Sequence, residues 1–311
     1  MQRVLEKLPP NSRAAILRFR SLGDCVLTTP AIDILKQARP DLRVAVLVED
    51  RFRAIFEGNP DIDEILPPSL RALRKFQPIL TINFHGGTHR AWMTALSGAR
   101  YRAGFSHFRL RFVHNLRIPR AQEILGEDRT VHTAEHMASA MFWLGAKRVG
   151  IPRAKLFNVG QVGNQPQVTN LPHGPYAVFH PIAATPAKTW RPNGFLEVAR
   201  HLSESGLNPV FIGSAHEDLS PFAAFPVVQG ASLAEIKALL ETASLFLGND
   251  SGPAHMAAAF GLPVVVIFGE SNPRIWGPWR TVSEVVTSPS GIQNVGAAQV
   301  IAAAARMRVH A

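Results

Sequence analysis

Residues 248–269 read GNDSGPAHMAAAFGLPVVVIFG, and this stretch decides the fold class. Residues 244–247 before it close an apolar strand, and Asn249-Asp250-Ser251-Gly252 is turn chemistry. Pro253 suits the first helical position, where its missing N–H is no loss. Residues 254–260 predict a short Ala-rich helix, and 264–268 a strand buried on both faces. A strand, a tight turn and a helix start leave unpaired backbone N–H groups at the positive end of a dipole. Such a place accepts a phosphate group.

The same rhythm runs through the chain. Residues 14–19 predict a strand and 20–23 a turn; Asp24 then opens a helix to about residue 39. A strand follows at 43–48, then strand 79–84, turn Gly86-Gly87 and helix 88–96. Residues 132–144 have helical periodicity, closed by Gly145. Residues 158–175 (NVGQVGNQPQVTNLPHGP) are poor in apolar side chains and read as a linker. Beyond it come strand 176–180, helix 193–205, strand 209–212 and helix 232–243. Strands alternating with helices on both sides of a linker predict two parallel α/β domains, residues 1–165 and 166–311. The last helix, at 295–307, is compatible with either domain. Ligands of such sheets bind at the carboxyl ends of the strands, which predicts a site in the cleft between two facing sheets.

Composition narrows the class. The chain has 311 residues, 46% hydrophobic and 18% charged, enough to bury sizeable cores and unlike a disordered protein. The single cysteine, Cys25, excludes an internal disulfide and fits a reducing cytoplasm. No apolar run approaches the roughly 18 residues of a membrane span, and MQRVLEKLPPNSR lacks a signal-peptide core. The net charge of +10 is unevenly placed: residues 1–165 hold 25 Lys and Arg against 14 Asp and Glu, residues 166–311 hold 8 against 9. A basic first half calls for an anionic partner: a phosphorylated lipid, a membrane face or nucleic acid.

Four motifs in order resemble glycosyltransferase family 9, the ADP-heptose:lipopolysaccharide heptosyltransferases. They are LRFRSLGDCVLTTPAI at 17–32, HPIAATPAKTW at 180–190, IGSAHE at 212–217 and NDSGPAHMAAAFGLPVVVIFG at 249–269. The resemblance implies the GT-B architecture of two facing Rossmann-like domains, the first binding the acceptor and the second a nucleotide-sugar donor. It also implies an inverting transferase that moves heptose from ADP-heptose to a lipopolysaccharide inner-core acceptor, with no cofactor and no metal. Asp24 matches the family's general base, and a helix start keeps a carboxylate ionised for that role. As a plain residue it also reads as a helix-start aspartate bonding nearby N–H groups.

Lys188 matches a donor-contacting lysine, whose ammonium would offset diphosphate charge. Glu217 matches the acid that receives the adenosine ribose, although a surface glutamate at a strand end reads the same way. Asp250 matches a donor-sugar contact, and Ser251 and Gly252 the turn that cradles phosphate. His255 reads either as a donor-pocket residue or as a satisfied core histidine. The chain departs from the family pattern where some members carry a Thr pair, here Ala183 and Ala184, and where GESNP at 269–273 replaces GPTDP. No acceptor motif carries over. From charge alone, Arg90, Arg102, Arg109 and Arg111 are candidates to meet acceptor phosphates or Kdo carboxylates.

Other signals weigh less. His132-Thr133-Ala134-Glu135-His136 spells the inverted zincin pattern without a third ligand. Asp61-Ile62-Asp63 reads D-x-D, better explained as solvent-facing acids on a short edge strand. Cys25 reads as packed, not reactive. Tyr101, Phe105, Phe108 and Phe112 interleave with arginines as on a nucleic-acid surface, but no nucleic-acid motif accompanies them. The expectation is therefore a cytoplasmic enzyme, peripheral to the inner membrane, whose partners are ADP-heptose and a phosphorylated or Kdo-bearing lipid, with no nucleic acid. A GT-B enzyme with another nucleotide sugar or a protein acceptor, and a nucleic-acid-binding module, are the alternatives.

Overall fold

Val-, Ile- and Leu-rich runs with no polar alternation become strands covered by helices on both faces. The computed structural model describes residues 2–159 and 171–308. It divides into one unit ending at Phe157 and a second beginning at Asn158. The boundary expected at residues 165 and 166 lies outside the described residues.

The first unit holds β1 (Arg13–Leu17), β2 (Arg43–Leu47), β3 (Glu64–Leu66), β4 (Leu80–Asn83), β5 (Tyr101–Phe105) and β6 (Leu116–Ile118). All pair in parallel, in the order β3-β2-β1-β4-β5-β6. Its helices are α1 (Val4–Lys7), α2 (Leu22–Ala38), α3 (Leu70–Phe76), α4 (Thr88–Ala95), α5 (Ala121–Leu125) and α6 (Thr133–Leu144). Ala15, Leu17, Ala45 and Leu47 form a core with Phe19, Leu73 and Met93.

The second unit repeats the plan with β7 (Tyr176–His180), β8 (Asn208–Gly213), β9 (Val227–Gln229), β10 (Leu245–Asn249), β11 (Val264–Ile267) and β12 (Ser283–Val286). Its parallel order is β12-β11-β10-β7-β8-β9. Its helices are α7 (Pro192–Glu204), α8 (Leu233–Thr242), α9 (Gly252–Phe260), α10 (Pro273–Trp276) and α11 (Ala297–Arg308). Val300, Ala303, Ala304 and Met307 of α11 join a core with Val265, Ile267 and Val286, so the last helix belongs to this unit.

Numbered within its own unit, each sheet has the doubly wound order 3-2-1-4-5-6 of the Rossmann type, as expected for a GT-B chain. The strand order reverses between β1 and β4 in one sheet and between β7 and β10 in the other. Ligands of such sheets bind at the carboxyl ends of the strands flanking the reversal. The chain carries its polar motifs at both places.

Most element ends shift by a residue or two from the sequence reading, and two of these shifts bear on the site. α2 begins at Leu22, so Asp24 is its third residue; Ser21 caps it, with Asp24 closing a capping box through the Ser21 N–H and hydroxyl. α9 begins at Gly252, which places Pro253 second, where its missing N–H is equally harmless. D-x-D also falls elsewhere: Asp61 and Asp63 precede the edge strand β3. Asp63 accepts hydrogen bonds from Lys36 (3.0 Å) and the Val44 N–H (2.7 Å).

Candidate functional site

In the second unit, the loop after β7 carries Lys188 and is held from two sides. The Asn249 side chain, fully buried at the end of β10, accepts the Trp190 N–H (2.9 Å) and donates to the Pro181 carbonyl (2.7 Å). Trp190 is itself fully buried, its ring N–H bonded to the Val295 carbonyl at 3.0 Å. Burying a large apolar side chain contributes about 3 kcal/mol against ~1 kcal/mol net for a hydrogen bond. The ring therefore anchors the loop and Asn249 sets its register. Gly269 closes the far side: a Cβ there would overlap the Ala187 carbonyl oxygen and press on Lys188 Cα.

This scaffold brings the donor candidates together. Lys188 Nζ lies 3.1 Å from Asp250 Oδ2, with the lysine side chain one-third exposed and the aspartate 8% exposed. Glu217 sits on the turn after β8; its Oε2 accepts the Ser214 N–H at 2.6 Å, and its carbonyl accepts from Gln229. A carboxylate has about four acceptor sites, so capacity remains for a ligand hydroxyl. Ser251 caps α9 without a side-chain cap bond, which leaves the N–H groups of the first turn without that partner. His255 is buried on α9.

His180, which the sequence reading passed over, links these groups. From the end of β7 its Nδ1 lies 2.9 Å from Ser251 Oγ and its Nε2 is 4.0 Å from Glu217 Oε2. Burial pushes His180 down to about 4, against the opposing pull of Glu217, so the ring is neutral at pH 7. With a carboxylate on the Nε2 side the proton belongs on Nε2, and Nδ1 accepts the Ser251 hydroxyl proton. The only sequence signal was a histidine ending an otherwise apolar strand, YAVFH.

In the first unit, Asp24 faces a second overlooked residue. Arg18, just past β1, is 6% exposed; its Nη1 is 3.5 Å from Asp24 Oδ1 and its Nη2 3.0 Å from Met137 Sδ. Burial depresses the Arg18 guanidinium, and its Nε has no hydrogen-bond partner. A guanidinium buried with so few partners costs a few kcal/mol. Stability alone does not explain it, whereas an anionic ligand beside Asp24 would.

The neighbours share that character. His85 stacks on Phe19 at 5.8 Å, and the Arg90 guanidinium lies 5.0 Å over the other component of this group, the Phe19 ring. His85 Nδ1 and Arg90 Nε are both buried without hydrogen-bond partners. Desolvation, then the positive charges of Arg18 and Arg90, push His85 down to about 4. Arg109 and Arg111 are exposed. Arg102 is engaged instead in holding the chain, donating to the Val113 (3.2 Å) and Ala99 (3.1 Å) carbonyls.

The H-x-x-E-H residues are each occupied by local structure. His132 caps α6, its Nδ1 accepting the Ala134 N–H at 3.1 Å. Glu135 receives a bidentate bond from Arg129 (2.7 and 2.9 Å), and His136 stacks on Phe105 at 4.0 Å. Among the described residues no group of three or more His, Cys, Asp or Glu side chains could hold a metal ion. Cys25 is buried and its thiol pushed up to about 12, chiefly by burial. No helix is long and apolar enough to cross a membrane, among the described residues.

Four histidines (His85, His114, His136 and His180) are pushed down to about 4, in each case mainly by desolvation. In the unfolded chain they would titrate near 6.5. Between these values the unfolded state binds more protons than the folded one, so stability falls as pH drops from about 6.5 towards 4. The expected result is a thermal midpoint that declines steadily through this window. A His180→Gln variant should lose part of that decline, read by scanning calorimetry from pH 7 to 4.

The family model described as glycosyltransferase family 9 (heptosyltransferase) matches residues 70–297. Lipopolysaccharide heptosyltransferase 1 of Escherichia coli (strain K12) is 24% identical over 303 residues, covering 89% of this chain and 94% of that protein. A solved glycosyl transferase family 9 structure from Veillonella parvula DSM 2008 superposes with a TM-score of 0.83 at 21% identity, covering 97% and 98% of the two chains. The structure of E. coli heptosyltransferase WaaC with ADP superposes with a TM-score of 0.77 at 20% identity, covering 95% and 99%.

Proposed function

The chain belongs to glycosyltransferase family 9, the heptosyltransferases, and from that premise we propose that it transfers heptose from ADP-heptose to a lipopolysaccharide inner-core acceptor. The observation that carries the donor half is the convergence of Lys188, Asp250, Ser251 and Glu217 at the carboxyl ends of β7, β8 and β10. Those groups fit a nucleoside diphosphate sugar: Glu217 toward the ribose hydroxyls, Lys188 and the α9 N-terminus toward the diphosphate, Asp250 toward the sugar. The relatives named heptosyltransferases, and the WaaC structure holding ADP, support that choice of donor.

The reaction is read as a single inverting displacement. Asp24 takes the proton of the acceptor hydroxyl as its oxygen bonds to C1 of the heptose. The bond from C1 to the phosphate oxygen breaks, and ADP leaves with the electron pair. Lys188 and the first-turn N–H groups of α9 offset the charge that develops on the leaving phosphate. Arg18 and Arg90 hold the acceptor's anionic groups near Asp24, with Arg109 and Arg111 reaching its outer phosphates or carboxylates. The acceptor lipid is met at the inner membrane face by the basic first unit.

A nucleotide panel tests the donor. ADP should raise the thermal midpoint, and UDP or GDP should leave it nearly unchanged. A larger shift with UDP or GDP would replace ADP-heptose by another nucleotide sugar.

A further inference from the structure

We infer that the face built by α4 and the short 3-10 turn Arg111–Val113 docks on the surface of an anionic lipid bilayer. This deepens the reading of a lipid-borne acceptor and rests on it for its biological sense, though its evidence is separate. Among the described residues, the exposed large hydrophobic side chains are four valines and just three larger groups: Trp92 (49%), Leu96 (47%) and Phe112 (62%). Leu96 caps the C-terminus of α4 and donates its N–H to the Trp92 carbonyl (2.9 Å), which places it one turn beyond Trp92, while Ala91, Met93 and Thr94 of the helix are buried. Phe112 stands on the 3-10 turn, which packs against α4. A soluble fold gains nothing by holding a Trp, a Leu and a Phe in water on two packed elements.

Charge identifies the partner. From residue 65 to residue 122 the chain carries ten Lys and Arg and not one Asp or Glu. Arg74 donates to the Leu96 carbonyl at 2.7 Å, which seats the basic end of α3 at the end of α4. Arg100, Arg109 and Arg111 are exposed on the segments that adjoin α4 and the turn. Exposed Trp and Phe amid arginines is the composition of an interfacial element, whose rings enter the headgroup layer while the guanidinium groups meet lipid phosphates. A second copy of the chain is a poor occupant, because two such basic faces repel one another. A nucleic acid would match the charge, but nothing in the face offers base-edge recognition to go with it, and a bilayer alone takes up Leu96 with the two rings.

The test is co-sedimentation of the full chain with phosphatidylcholine vesicles, with and without about a third phosphatidylglycerol. Neither donor nor acceptor is present, so the result stands whether or not the transferase reading holds. Binding should be at least about tenfold tighter to the anionic vesicles and weaken in high salt. Trp92→Ser with Phe112→Ser should reduce it about tenfold or more, and Arg74→Gln with Arg100→Gln to a similar extent. Both variants should keep the wild-type circular dichroism spectrum and a cooperative thermal transition, which shows that they fold. Equal binding to both vesicle types, or wild-type binding by the Trp92 and Phe112 variant, would overturn the inference. So would a single-stranded oligonucleotide that binds in place of vesicles, or a dimer that the same substitutions dissociate.

Discussion

Asp24→Asn is expected to lower the rate of heptose transfer by about 10³-fold while leaving ADP binding unchanged, the range lost when a general base is removed. The substitution keeps the volume and removes only the capacity to take a proton. Its structural cost is the capping box of α2, worth about 1 kcal/mol, together with the lost ion-pair partner of the buried Arg18, on the order of a few kcal/mol more. Arg18 stays in place but then lies 3.5 Å from a neutral amide. Its buried charge becomes available to an anionic acceptor, so acceptor binding should hold or tighten even as turnover collapses. Transfer within a few fold of wild type would remove Asp24 from the base role, whatever the nucleotide does.

Lys188→Met carries the second large effect, on the donor. Charge-assisted hydrogen bonds contribute roughly 1.5–3 kcal/mol, so ADP affinity should fall by about 10- to 100-fold. AMP, lacking the second phosphate, should lose much less. Part of the loss comes from Asp250, whose nearly buried carboxylate would face the diphosphate without its 3.1 Å partner. Adding Asp250→Asn to Lys188→Met should therefore recover some ADP affinity, although each change alone weakens the donor complex. Titration calorimetry of the four proteins measures that coupling. Strictly additive losses would mean that the pair does not act on the diphosphate as a unit.

Much of the fold was legible because its long strands are doubly covered. AILRF, VAVLV, YAVFH and VVVIF are apolar on both faces and could only be central parallel strands. Of the three-residue edge strands, β3 was read a few residues early, over residues 61–63, and β6 and β9 were not legible, since so few residues show no period and their pairing comes from the neighbouring strand. β5 was hidden for another reason: YRAGF interleaves aromatic and basic residues, which suggested a binding surface before it suggested a strand. In the structure Phe105 is buried within it and only Phe112, further on, is exposed.

The candidate site was named where motifs resemble those of the family, at Asp24, Lys188, Glu217 and Asp250; as plain residues Asp24, Lys188 and Glu217 also read as a helix-start aspartate, a loop lysine and a surface glutamate. It was not legible where the polar group ends a buried strand. Arg18 and His180 each follow apolar residues and look like the edge of a core; only the fold reveals that both stand where their sheet's strand order reverses. Arg102 shows the converse. Its charge suggested a ligand, whereas its guanidinium is bonded to two carbonyls of its own chain.

A crystal structure of the complex with ADP tests the central claim most directly. The account predicts the diphosphate against Lys188 and the Gly252 end of α9, with the ribose hydroxyls on Glu217, all within the second unit. Nucleotide bound among Arg18, Asp24 and Arg90 of the first unit, with Lys188 and Glu217 untouched, would contradict it.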